Sequence, residues 1–269
     1  MSFNVPKVMG ILNVTPDSFY GLSRIYEREK IETKVLEMIS EGVDIIDVGG
    51  CSTRPGSQAP DEDEELRRVL SALEVIRNLN VEVPISVDTF RANVARKCVE
   101  EYNVDIINDV SGGNLDSEMW ATVAELKVPF VLTHMRGTPE NMNQHTEYKD
   151  ITADVISELS LKVFNLRELG VNDIILDPGF GFSKTPEQNL RLLDELNEIK
   201  KMGLPLITGI SRKSMIWKTL NSTPEESLNG TIALEAIAID RGTDILRVHD
   251  VKETVNLVRL MAAMKNSDK

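Results

Sequence analysis

Short apolar runs, each ending on a polar side chain, recur along this chain, and each is followed by a stretch of helical periodicity. The runs are VMGILN ending at Asn13, DIIDVGG through Gly50, PISVDT ending near Asp88, DIINDV around Asn108, PFVLTH ending at His134, DIILD ending at Asp177, LITGIS ending at Ser211 and DILRVH ending at His249. Between them lie amphipathic stretches at Ile31 to Glu41, Asp61 to Leu79, Ala92 to Tyr102, Asp116 to Leu126, Ile151 to Leu169, Pro186 to Met202, Pro224 to Arg241 and Val251 to Met264. The spacing of roughly thirty residues per unit predicts βαβ units with parallel strands.

An open doubly wound sheet and a closed (β/α)8 TIM barrel both fit a parallel βα repeat. Eight evenly spaced units favour the barrel. So does the placement of Asn, Asp, His, Ser, Arg and Lys at the strand C-termini, because a barrel gathers all eight ends on the face where its sites are built. No low-complexity linker divides the chain, so residues 1–269 are expected to form a single domain. The longest irregular segments, Thr15 to Arg28, Cys51 to Pro60 and Met135 to Lys149, all follow strand ends and are candidate lids.

Composition narrows the function. A formal charge of −13 with no basic arm argues against a general nucleic-acid binder, so no nucleic acid is expected as partner. Anionic ligands must then be drawn by local clusters such as Arg212-Lys213. Two cysteines without CxxC spacing disfavour a disulfide scaffold or zinc knuckle and suit a reducing cytoplasm. No secretory signal or membrane-length apolar run is read from the sequence, and a cytoplasmic protein without membrane contact is expected.

The stretch Leu206 to Ser214, LITGISRKS, ends a strand on two cations and two hydroxyls and then opens a helix, an arrangement that invites an anion. GFGFSKT at Gly179 to Thr185 imitates a phosphate loop, but Ser183 stands where that motif needs glycine. The three histidines show no HExxH spacing. Lys213 alone could form a Schiff base, with Arg212 beside it lowering its pKa.

Asp88, Asn108 and Asp177 end three different strands, which places two carboxylates and an amide around one cavity. Buried carboxylates need donors, so the fitting guest is a flat aminopyrimidine or guanidine-like heterocycle. The competing reading is that one or more of them caps a helix or closes a turn. Arg247 and His249 alternate on the last strand end and could grip a phosphate or diphosphate from one rim. Alternatively, His249 is structural and Arg247 pairs with Asp250 or another carboxylate. Asn13, adjacent to them in a closed barrel, could reach the same anion directly or through Mg2+. The turn Gly49 to Gly56 adds glycines for close approach, hydroxyls and Arg54. Its Cys51 reads as a small packing residue.

MGILNVTPDSF, GGCSTRPGS, SVDT, INDVSGG, LDPGFGF, GISRKS and RVHD, in this order and with THMRGTPENM among them, closely resemble the dihydropteroate synthase family. The resemblance implies a pterin-binding barrel that joins 6-hydroxymethyl-7,8-dihydropterin diphosphate to 4-aminobenzoate, the site that sulfonamides occupy. It implies that Asp88, Asn108, Asp177 and Lys213 hold the pterin, and that Asn13, Arg54, Arg247 and His249 hold the diphosphate, with Asn13 approaching Mg2+. Thr53, Pro55, Phe182 and Ser214 would form the aminobenzoate pocket, its carboxylate at the helix begun by Ser214. A homodimer through outer helices is also implied.

Three positions depart from the family's pattern. Asp17-Ser18-Phe19 is followed by Tyr20-Gly21-Leu22, without the second acidic residue; Cys51 replaces a glutamate; Arg136 replaces a glutamine. Two rivals share the barrel, a pterin-binding methyltransferase serving a corrinoid and a non-catalytic pterin-binding protein. An aldolase built on Lys213 is a third.

Overall fold

A computed structural model describes residues 5–15, 24–51 and 59–267. Its strands are β1 (Lys7–Asn13), β2 (Ile45–Gly49), β3 (Ile85–Asp88), β4 (Ile106–Asp109), β5 (Phe130–Thr133), β6 (Ile174–Asp177), β7 (Ile207–Thr208) and β8 (Ile245–Val248). Its helices are α1 (Arg24–Glu41), α2 (Glu62–Asn78), α3 (Ala92–Tyr102), α4 (Met119–Leu126), α5 (Ile151–Glu168), α6 (Pro186–Asp194), α7 (Leu196–Lys200), α8 (Ser214–Trp217), α9 (Leu228–Asp240) and α10 (Val251–Ser267).

All strand pairs are parallel, in the order β6-β5-β4-β3-β2-β1-β8-β7. The two outer strands meet where Leu176 bridges Leu206 and donates its N–H to Pro205 O at 2.8 Å. The sheet thus forms the expected (β/α)8 barrel. Among the described residues no helix is long and apolar enough to cross a membrane.

Two layers of apolar side chains hold the barrel. The larger packs the outward strand faces against the helices. The smaller fills the barrel with Met9, Ile45, Ile106, Val131, Ile175, Ile207 and Ile245, one residue from each of seven strands. Because side chains alternate along a strand, the positions two further on face inward again, one layer nearer the C-terminal mouth. Those positions are Ile11, Asp47, Asn108, Thr133, Asp177, Gly209 and Arg247. The site is therefore the second storey of the barrel core, where polar residues replace apolar ones.

Several boundaries differ from the periodicity. Helix α1 starts at Arg24, well before Ile31, and α4 starts at Met119 instead of Asp116. The Asp116 carboxylate is occupied elsewhere: it accepts from Ala92 N at 2.8 Å at the start of α3 and from Glu118 N at 2.9 Å. The stretch from Pro186 divides into α6 and α7 at Glu195, and α9 begins at Leu228 because Pro224 to Ser227 form a turn closed by Ser227 Oγ on Pro224 O. Strand β7 keeps only two residues, since Leu206 N donates to the Asp244 side chain at 2.7 Å and not to a neighbouring strand.

Candidate active site

Register sets the heart of the site. Asn13 lies opposite Gly49, Gly49 opposite Asp88, and Asp88 opposite Asn108, so the ends of β1 to β4 stand at one level. Gly49 stands between them: a Cβ there would sit in ordinary contact, 3.4 Å from Asn13 Oδ1 and 3.8 Å from Asp88 Oδ2. Asp88, Asn108 and Asp177 are all buried, and Asn13 is half-buried.

Arg247 crosses this space. Its Nε donates to Asp47 Oδ2 at 2.6 Å and its Nη2 to Asp88 Oδ2 at 2.6 Å. Asn108 Nδ2 donates to the same Asp47 oxygen at 3.1 Å. Asp47, fully buried, therefore ties two of the expected ligand-holding residues together, while its Oδ1 has no partner. Burial opposes charge on Arg247, but Asp47 and Asp88 outweigh it and hold the guanidinium more firmly protonated than usual. Burial pushes the Asp88 carboxyl up to about 7 against the pull of Arg247, and Asp47, Glu65 and Asp109 push the same way.

Across the mouth, Asp177 is raised by burial and held back chiefly by the charge of Lys213, then by Gly179 N–H, which donates to its Oδ1 at 2.7 Å. Lys213 donates to Phe180 O and stands 4.7 Å over the Phe182 ring. Burial holds its amine down to about 8, opposed by Asp177 and reinforced by Arg247. Arg212 has no part in that shift. It takes a left-handed backbone (φ 56) and turns to Asp250, donating Nε at 2.8 Å and Nη2 at 2.6 Å, so the expected Arg212-Lys213 anion cluster is not formed. The two neighbours face different partners.

Arg247 and His249 are also parted. Arg247 pairs with carboxylates, as the alternative reading had it, though with Asp47 and Asp88 and not with Asp250. His249 Nδ1 faces Ser211 Oγ at 3.1 Å, and the same oxygen accepts from His249 N at 3.2 Å, so the hydroxyl is set to donate to Nδ1. Ser214 opens α8, which is a single turn. Thr53, Arg54 and Pro55, with Asp17 and Tyr20 to Leu22 of the first loop, lie outside the described residues. Cys51 is buried and its thiol is pushed up to about 12 by burial, so it is a packing residue and not a nucleophile. Arg136 pairs with Glu158 and lies 3.9 Å over the Tyr148 ring.

The sequence from residue 9 to residue 249 matches the family of pterin binding enzymes. The chain belongs to that family. A dihydropteroate synthase of Bacillus subtilis is 43% identical over 261 residues, covering 96% of this chain and 88% of the relative. Among solved structures, a Xanthomonas albilineans dihydropteroate synthase with 4-aminobenzoic acid superposes with a TM-score of 0.90 at 36% identity, covering 98% of this chain and 95% of the other. A Yersinia pestis dihydropteroate synthase in a sulfonamide drug complex gives 0.92 at 36% identity, covering 99% and 96%.

Within this pterin-binding barrel, Asp47 is the residue the motifs missed. Its signal was present, two positions after the inward-facing Ile45 and inside an otherwise apolar run. For a divalent cation, the described residues hold no group of three or more His, Cys, Asp or Glu side chains that could enclose it. Asn13 Oδ1 borders Gly49 and offers one amide oxygen there, a donor type that suits a hard cation.

Proposed function

We infer that this chain is a dihydropteroate synthase, joining 6-hydroxymethyl-7,8-dihydropterin diphosphate to 4-aminobenzoate with release of diphosphate. The observation that carries this reading is the buried polar ring at the barrel mouth, with Asp177 facing the charge of Lys213 and Asp88 held by Arg247. Such a ring fits a flat heterocycle rich in N–H donors that carries an anionic tail.

In this reading Asp177 accepts from the aminopyrimidine edge while Asp88, Asn108 and Lys213 hold the rest of the pterin. As the pterin donates to Asp88, the Nη2 end of Arg247 is released toward the diphosphate and its Nε stays on Asp47. The methylene C–O bond breaks with its electron pair leaving on diphosphate. Positive charge develops on the pterin methylene, and the aminobenzoate nitrogen attacks from the opposite face and then loses its proton. Asn13, Arg54, Arg247 and His249 steady the leaving anion; Thr53, Pro55, Phe182 and Ser214 orient the amine. The chain thus acts by orientation and by preorganised charge, without a protein nucleophile. Mg2+ bound at Asn13 would neutralise part of the leaving-group charge.

Exposed apolar side chains at Leu220, Ile237, Leu260 and Met264, on or beside α8, α9 and α10, support a homodimer through these outer helices. Light scattering that finds a monomer at working concentration would remove that part. Two buried cysteines agree with a cytoplasmic setting. The reaction is tested by diphosphate release with Mg2+, with and without 4-aminobenzoate, on the native chain and on Lys213→Ala. Release that needs the amine and collapses in the variant supports the synthase. Pterin binding without release makes the chain a binding protein on a synthase frame.

A further inference from the structure

Behind the mouth lies a buried chain of polar groups to which the reaction assigns no role. Lys184 is 7% exposed, and its ammonium meets His134 Nδ1 at 3.0 Å, Gly179 O at 3.0 Å, Phe182 O at 3.1 Å and, more distantly, His134 O at 3.5 Å. Three N–H bonds meet three close acceptors, which satisfies an ammonium group completely. His134 presents its Nδ1 lone pair because Nε2–H is directed to Glu158 Oε2 at 3.0 Å. Burial holds His134 down to about 4, with the Lys184 charge acting in the same direction, so the ring stays a neutral acceptor at physiological pH.

Keeping an ammonium in this place is costly. Burial, reinforced by the Lys213 charge and opposed by Asp177, pulls Lys184 down to about 7, and a methionine would fill the same space without desolvating a charge. What the ammonium supplies is curvature. The loop from Gly179 to Ser183 has three left-handed residues, Gly179 (φ 71), Gly181 (φ 80) and Ser183 (φ 48), and its carbonyls at 179 and 182 converge on one nitrogen. The same loop offers Phe180 O to Lys213 and sets the Phe182 ring beneath that amine. It also gives Gly179 N–H to Asp177.

We propose that Lys184 is a positioning residue: by drawing the Gly179 and Phe182 carbonyls onto one ammonium, itself aligned by His134 and Glu158, it fixes the Phe182 ring. This rests on the synthase reading for its kinetic consequence, though not for its structural one. Phe182 is carried by the loop alone, whereas Asp88, Asn108 and Asp177 stand on strands. Loss of the ammonium therefore affects the aminobenzoate side first.

The test is Lys184→Met, with Glu158→Gln as a second variant that loosens His134 from half-exposed α5 while leaving Lys184 in place. For Lys184→Met, KM for 4-aminobenzoate is expected to rise about tenfold or more, while KM for the pterin diphosphate stays within about threefold. Amide hydrogen exchange in residues 179–183 is expected to quicken in both variants, less in Glu158→Gln. Equal changes in both KM values, or a lowered melting temperature with unchanged loop exchange, would overturn the proposal. A native chain that releases no diphosphate would instead remove the synthase reading, and the exchange experiment would still decide the role of Lys184. If Lys184→Met does not fold, Glu158→Gln decides: unchanged loop exchange in it counts against the proposal.

Discussion

Arg247 and Asp47 are 200 residues apart in the chain and 2.6 Å apart in the barrel, and the guanidinium that Asp47 anchors is the one that also spans to Asp88. Asp47→Asn keeps the shape and removes the charge. Removing it takes a repulsion away from Asp88 and leaves Arg247 more fully to it, so the Asp88 carboxyl, now raised to about 7, titrates at lower pH. The acid limb of pterin binding is expected to move toward lower pH. At the same time kcat/KM falls by roughly ten- to a hundredfold as Arg247 and Asn108 lose a shared anchor. Steady-state kinetics between pH 5 and 8 measure both, and an unmoved acid limb would count against this coupling.

The Lys213 amine, held down to about 8, predicts an alkaline limb. Affinity for the pterin diphosphate is expected to fall by about tenfold per pH unit above that midpoint, as the ammonium facing Asp177 is lost. Stability runs the opposite way. The unfolded lysine keeps its proton up to its ordinary value, so between about 8 and 10.5 the unfolded chain binds more protons and this group favours folding more as pH rises. Calorimetric titrations across this range, beside melting curves, separate loss of binding from unfolding.

Arg212 tests whether neighbouring cations share a task. Its bidentate pair with Asp250, and its contacts to Pro224 O at 3.2 Å and Glu225 O at 3.3 Å, close the turn before α9 onto the end of β8. Arg212→Ala is expected to cost about 2–4 kcal/mol of stability. KM for the pterin diphosphate should stay within about threefold of native. Urea denaturation and diphosphate release would report the two effects apart.

Glu235 on α9 is 1% exposed, accepts from Thr254 Oγ1 at 2.9 Å and leaves Oε1 without a partner. Burial raises its carboxyl to about 8, with Asp250 acting in the same direction against the Thr254 hydrogen bond. The folded chain thus holds a proton that the unfolded chain has lost above its ordinary carboxylate range. This stabilisation is full at low pH and is lost as pH rises from about 4.5 toward 8. Glu235→Gln is expected to flatten that slope and to gain on the order of 2 kcal/mol at pH 8. Denaturation midpoints at pH 6 and 8 would show it.

Much of this site was legible because barrel chemistry gathers at strand ends. Asp88, Asn108, Asp177 and Lys213 each close a run or follow one, and the fold brings them to one mouth. Asp47 was harder to read, since it sits inside DIIDVGG and only inward alternation from Ile45 exposes it. Arg212 misled because adjacency in sequence says nothing about direction once a left-handed residue intervenes. Lys184 was seen only as part of a failed phosphate-loop motif; its partners His134 and Glu158 lie on other elements that no local pattern connects to it.

The barrel closes on its shortest strand. Where β6 meets the chain before β7, a bridge at Leu176–Leu206 stands in for a ladder, and Asp177 and Lys213 lie on opposite sides of that junction. A guest gripped by both is a clasp across the one place where the cylinder is thinly sewn. The seam with the fewest backbone bonds between strands is thus the one whose two banks carry opposite charges.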